Sequence, residues 1–221
     1  WLPTDAKEAI LQILNDIWEN ECFFESMGEA TVVTLYKKGN VENPANHRSI
    51  SLLQSIYKIY AGLIKNRLAK GIDKRMWKLQ YGFRANRSTA QAMYICRRLQ
   101  DIAERSDEPL TMIFLDWEKA FDSCSWDYLH ASIQALGFGP NMRRWYHILY
   151  NHYDPQERII QANGVRGDTF QLNSGIPQGC PLSPVTFLFI SEGLTRLILN
   201  DNQYKGIDIG GHNLRLSQFA D

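Results

Sequence analysis

Two apolar runs that end on carboxylates constrain this chain more than any other feature. "LTMIFLD", residues 110 to 116, closes on Asp116, and "LRLSQFAD", 214 to 221, closes on Asp221. Each reads as a short strand with an acid at its tip, the first of them buried, and a buried charge is costly unless something compensates it. Two carboxylates at neighbouring strand ends repel, so one tends to hold a proton unless an oxygen-preferring cation such as Mg2+ binds between them. Two such ions about 3.5–4 Å apart can activate an attacking hydroxyl and stabilise the leaving oxygen of a phosphoryl transfer. Taken singly, either aspartate is more commonly a turn former or a partner for lysine, so the pair needs support from the rest of the chain.

Composition narrows the class. At 221 residues and 44% hydrophobic content, the chain can bury a core as one large domain or two lobes. It has no run of about 18 apolar residues and no basic-then-apolar leader, which predicts a soluble protein without a membrane partner. Cys22, Cys96, Cys124 and Cys180 are far apart and form no C-x-x-C pair, the usage of reduced, intracellular thiols. His47, His130, His147, His152 and His212 have no metal-ligand spacing. A formal net charge of zero hides a division: 36–105 carries fifteen Lys or Arg against four Asp or Glu, and the remainder nine against twenty. A polyanion meets one basic region and one acidic one.

Periodicity supplies the elements. Ala6, Ala9, Ile10, Ile13, Leu14, Ile17 and Trp18 recur at helical spacing, and Asp5 with Glu8 can form a capping box, which predicts a helix over 5–20. "ATVVTLY", 30–36, is β-branched and predicts a strand, and the polar 37–48 predicts a loop. A long helix with one basic side is expected between 51 and 75, and Ser88 with Gln91 caps another that runs to Glu104. Beyond 110, helices are expected over 126–136, 141–151 and 183–199, with a strand pair over 156–173 whose turn lies between Gly164 and Gly167. A terminal hairpin is expected about "GGHN", 210–213, with 204–210 and 214–221 as its strands. The fold class is therefore α+β, a mainly helical basic lobe followed by an acidic lobe of helices and strands.

Five blocks follow one another in the chain: "HRSISLLQSIYKIYAGLIKNRL" (47–68), "QYGFRANRST" (80–89), "FLDWEKAFDS" (114–123), "SGIPQGCPLSP" (174–184) and "FAD" (219–221). Together they resemble the finger and palm motifs of reverse transcriptases, most closely the non-long-terminal-repeat retroelement type and next the group II intron type. The resemblance spans nearly the whole chain, and five ordered blocks are far more specific than a lone D-x-x-x-A-F-D or Q-G-x-x-x-S-P. It implies a right-hand polymerase fold, with mainly helical fingers over 1–109, an antiparallel-sheet palm packed on helices over 110–221, and no thumb. It further implies an RNA-directed DNA polymerase that takes an RNA template, a DNA primer and deoxynucleoside triphosphates. Two Mg2+ ions are its implied cofactors, with Mn2+ as a substitute, and its location is intracellular, nuclear for a eukaryotic retroelement. In that family a second Asp follows the aromatic-Ala-Asp directly; this chain ends one residue earlier, so a truncated enzyme, inactive by itself, is expected.

The same resemblance assigns roles. Asp116 and Asp221 match the two metal-binding aspartates, and the backbone carbonyl of Trp117 matches a further metal ligand. Phe121 matches an aromatic wall under the incoming sugar that leaves no room for a 2′-hydroxyl, with Ala120 kept small beside it. Without the motif, Phe121 reads as an ordinary core aromatic. Gln178 and Gly179 match residues lining the nucleotide pocket. Lys37 and Arg48 match finger cations that clamp the triphosphate, with Lys38 able to replace Lys37. Arg48-Ser49 departs from the family's usual Arg-Pro, which weakens loop rigidity and keeps the cation. Lys58, Lys65, Arg67, Tyr81, Arg84 and Arg87 are the residues suited to template and primer, although singly the cations read as solvated surface and Tyr81 as core. A catalytically silent scaffold that only binds RNA is the alternative, and intact Asp116 and Asp221 argue against it. An RNA-directed RNA polymerase is disfavoured by Phe121.

Overall fold

The computed structural model describes residues 2–21, 29–151 and 157–219. Helix α1 (Thr4–Asn20) buries Ile17 and begins directly after Pro3, which takes the N-cap position. The expected Asp5–Glu8 capping box does not form, because the helix starts one residue earlier; Asp5 lies in the first turn, where its charge faces the unpaired N–H groups. Strand β1 (Ala30–Tyr36) pairs antiparallel with β2 (His47–Leu53), Ala30 opposite Leu53 and Tyr36 opposite His47. Strand β2 corrects the expectation of loop and helix there. Its inward positions are Ser51 and Leu53 while Leu52 faces out, so the hydrophobic alternation that would announce a strand is scrambled and only pairing with β1 defines it.

On the other side of β1 lies β3 (Glu157–Ala162), parallel to it, and then β4 (Val165–Gln171), antiparallel to β3, giving the order β2-β1-β3-β4. The β3–β4 turn is Asn163–Gly164, both at positive φ (52° and 80°), a two-residue turn whose twist matches the strands it joins; Gly167 lies within β4. The main sheet is thus mixed, and it joins strands from both sides of the 109/110 boundary.

Helices α2 (Ser55–Ala69), α3 (Thr89–Ser106), α4 (Trp126–Ala135), α5 (Pro140–Leu149) and α6 (Ser183–Asn200) complete the framework. Helix α2 stops at Ala69 and a 3-10 turn over Ile72–Lys74 follows, so the basic side expected to run to 75 lies on two elements. Gln91 accepts from the Ser88 N–H at the start of α3, as the sequence predicts. Tyr57, Tyr60 and Ile64 of α2, Leu129 and Ile133 of α4, Tyr146 of α5 and Phe187 and Phe189 of α6 form one core with Ile17. No helix among the described residues is long and apolar enough to cross a membrane.

The largest departure is 110–116. The run expected to be a buried strand is irregular and belongs to neither sheet among the described residues. Phe114 is 78% exposed, and Ile113 and Leu115 are exposed as well. A strand satisfies its N–H and C=O groups through neighbours in a ladder, and apolar side chains alone cannot supply that. This stretch instead faces α3 and residues 203–219 across cavities of about 500 and 470 Å³. Strands β5 (Ile207–Ile209) and β6 (His212–Leu214) make the terminal hairpin on a tighter turn than expected, Gly210–Gly211, both at positive φ. Beyond β6 the chain leaves the hairpin and docks on 79–81: the Gln218 N–H donates to Leu79 O (3.0 Å) and the Tyr81 N–H to Gln218 O (2.8 Å).

Candidate functional site

Asp116 ends the irregular run, exposed and ion-paired with no cation among the described residues. Its carboxylate oxygens are the hard donors a divalent cation prefers. The second carboxylate, Asp221, lies outside the described residues. Among those that are described, no three His, Cys, Asp or Glu side chains gather as a metal site. Trp117, whose carbonyl the family resemblance matches to a metal ligand, sets its ring edge-on to Phe187 with centroids 5.9 Å apart.

After Asp116 the chain turns sharply, with Lys119 at φ 48° and the Ser123 N–H donating to Lys119 O (3.0 Å). This turn is sewn to the glycine- and proline-rich loop before α6. The Ile176 N–H donates to Phe121 O (2.8 Å), the Gly175 N–H to Cys124 O (2.7 Å), and the Trp126 indole N–H to Gly175 O (2.7 Å). Gly175 has φ +84°, and a Cβ there would stand 3.0 Å from Asp122 O, so the site requires glycine. Burial raises the Asp122 carboxyl above its ordinary value, with Lys119 opposing, and pushes the Cys124 thiol up to about 12, with Asp122 adding to the effect. Burial also raises the Cys180 thiol. Both thiols are packing groups at neutral pH.

The loop reaches further, to β2. The Ser51 N–H donates to Gln178 O (2.6 Å), and Gly179, at φ +118°, lies so close that any Cβ would collide with Ser51 O. Ser51 is three residues beyond Arg48 on the same strand, and Arg48 sits opposite Leu35, two residues before Lys37. The Lys37 N–H donates to Asn46 O (2.9 Å), closing the hairpin end. Lys37 and Arg48 are therefore exposed at one end of the β1–β2 pair, neither ion-paired among the described residues. The ladder supplies the rigidity that the Arg48-Ser49 departure from Arg-Pro takes away.

Structure thus joins three expected groups: Asp116 to Phe121, Gln178 with Gly179, and the strand carrying Arg48. Ala120 and Phe121 are part-buried against the core, and Phe121 stacks on Phe187 with centroids 5.5 Å apart and planes 14° from parallel. Lys58, Lys65 and Arg67 lie exposed along α2, with the Arg67 guanidinium over the Trp145 ring at 4.7 Å. Arg87 stands over Tyr81 at 5.5 Å, and Tyr81 is buried.

Arg84 is a correction. Its side chain is 2% exposed, donates to Asp73 Oδ1 (2.8 Å), Trp77 O (2.7 Å) and Gln80 O (3.0 Å), and so fastens 73–84 together rather than facing a strand of nucleic acid. Sequence reasoning also missed Ser51, whose contribution is a backbone N–H and leaves no side-chain signal. Gln80 and Gln218 escaped it too: Gln80 Nε2 donates to Gln218 Oε1 (3.1 Å), which also accepts from the Thr195 hydroxyl (2.7 Å).

Comparison with known proteins shows the family. Residues 36–221 match the family model described as reverse transcriptase (RNA-dependent DNA polymerase). The transposon TX1 uncharacterized 149 kDa protein of Xenopus laevis is 32% identical over 198 residues, which is 89% of this chain and 15% of that protein. The probable RNA-directed DNA polymerase from transposon BS of Drosophila melanogaster is 27% identical, over 87% of this chain and 21% of its own length. The RNA-directed DNA polymerase from mobile element jockey of the same species is 26% identical, over 86% and 21%. The chain spans about a fifth or less of the length of these relatives.

Proposed function

The chain belongs to the reverse transcriptase family, of the non-long-terminal-repeat retrotransposon type, and from that premise we propose that it forms the nucleotide-binding and catalytic core of an RNA-directed DNA polymerase. The observation that carries the reading is the double tether of the 174–179 loop. It bonds through Ile176 to Phe121 and through Gln178 to Ser51, gathering the Asp116 turn and the Arg48 strand about one loop.

In this reading the primer 3′-hydroxyl attacks the α-phosphate of a deoxynucleoside triphosphate bound opposite an RNA template base, and pyrophosphate leaves. Lys37 and Arg48 hold the triphosphate, Lys37 as a point charge and Arg48 as a planar fork of donors. Gln178 and Gly179 line the pocket, glycine letting backbone approach the substrate pair. Phe121, with Ala120 beside it, closes the space a 2′-hydroxyl would need. Asp116 and Asp221, with the Trp117 carbonyl, would hold two Mg2+ ions, which when bound lower the pKa of the attacking hydroxyl and neutralise charge on the leaving oxygen. Lys58, Lys65, Arg67 and Arg87 supply cations to template and primer phosphates. The right-hand arrangement, with fingers over 1–109 and palm over 110–221, is part of the same proposal.

The test is primer extension on an RNA template by the full-length polypeptide. Asp116→Asn should reduce extension by at least about 10²–10³-fold, because it removes charge where charge develops, while template binding persists. Retained extension would refute the assignment of Asp116.

A further inference from the structure

Phe121 is held between two rings, Phe187 of α6 and Phe83 of the 80–89 block. Phe187, 1% exposed on α6, lies flat against it at 5.5 Å, and Phe83, from the loop before α3, meets it edge-on at 6.5 Å and 81°. Phe187 is itself braced by Trp117, the neighbour of Asp116, at 5.9 Å and 85°. The four rings form a train from the Asp116 turn through the core helix to the loop at 80–84. Phe83 is also one of few non-glycine residues at positive φ (53°), and Arg84 beside it is locked to Asp73, Trp77 and Gln80, so its backbone is fixed in a conformation that directs the ring.

We propose that Phe187 and Phe83 are positioning residues that set sugar selectivity by fixing the ring of Phe121. The proposal deepens the reading of Phe121 as the wall under the sugar and rests on it. A wall excludes one hydroxyl only if it does not yield by about the radius of that hydroxyl, and a partly exposed phenyl ring has two soft torsions of its own. Stacking on Phe187 prevents the ring from sinking toward the core, and the edge of Phe83 prevents it from swinging sideways. Removing Phe187 opens a space behind the wall, into which the ring retreats when a ribose enters.

The test measures single-nucleotide incorporation by the full-length polypeptide, taking the ratio of kcat/KM for a deoxynucleotide to that for its ribonucleotide. Phe121→Ala should collapse this ratio. Phe187→Leu should lower it about tenfold and Phe83→Leu about threefold, chiefly through a lower KM for the ribonucleotide, in line with what a small steric difference discriminates. Phe83→Tyr, which keeps the edge, should restore the parental ratio. Since both act through one ring, adding Phe187→Leu to Phe121→Ala should change nothing further. Phe83 is 47% exposed, so Phe83→Leu carries the test even where a buried Phe187 variant does not fold. A ratio that falls with Phe121→Ala and stays constant in Phe83→Leu and every folded Phe187 variant overturns the proposal and leaves the wall intact. A ratio unmoved by Phe121→Ala removes the wall and the proposal with it. Effects that add in the double variant show a general loosening and also overturn it.

Discussion

Two stretches carry the candidate site, and they are held in opposite ways. The 174–183 loop is rich in glycine and proline, has no regular structure before Ser183, and is fastened by backbone bonds to β2 and to the 119–124 turn. Residues 110–116 are rich in β-branched and apolar side chains, yet they bond into no ladder among the described residues and leave Phe114 78% exposed. Local propensity therefore ranks the two in the wrong order. What fixes a segment is the number of independent partners that its backbone finds, and glycine increases that number by letting chains approach.

The sharpest way to break this comparison is to widen the loop's closest approach. Gly179→Ala puts a Cβ into the Ser51 carbonyl at φ +118°, and should cost on the order of 3 kcal/mol in urea unfolding as well as most of the extension activity. A variant of parental stability would mean that the Ser51–Gln178 contact is dispensable. Trp126→Phe is milder. It removes the indole donor to Gly175 O at 2.7 Å and leaves a buried carbonyl without that partner, which should cost about 2 kcal/mol by the same measurement. Phe114→Ser in the 221-residue chain should change stability by no more than about 0.5 kcal/mol, as exposed positions do. A loss like that of Trp126→Phe would show that 110–116 is packed in solution and would erase the contrast.

Much of the frame was legible in sequence. Helix α1, α3 with its Gln91 cap, α4, α5 and α6 fall within one or two residues of their expected spans, because periodic apolar faces and cap residues are local signals. The β3–β4 pair was legible from its strands and glycines, although its turn is Asn163–Gly164. Strand β2 was not, since Ser51 points inward and Leu52 outward. Arg84 read as a template contact because its residue type suits phosphate, and nothing local reveals that Asp73, Trp77 and Gln80 already occupy it. Phe187 read as one apolar residue in an apolar helix, for the same reason.

By itself the sequence determined, through the family it resembles, which residues are candidates for the chemistry: Asp116 and Asp221, Phe121, Gln178 with Gly179, and Lys37 with Arg48. The order of the five motif blocks carries that resemblance, and residue type limits what each side chain can donate, accept or exclude. Tertiary structure alone decided which of them meet. The sewing of the Phe121 turn to the 174–179 loop, the docking of that loop on β2 and the stacking of Phe187 beneath Phe121 all join residues tens of positions apart. Such contacts form when non-local backbone bonds and packed rings together offset the entropy of closing long loops, and that balance is written in no single segment.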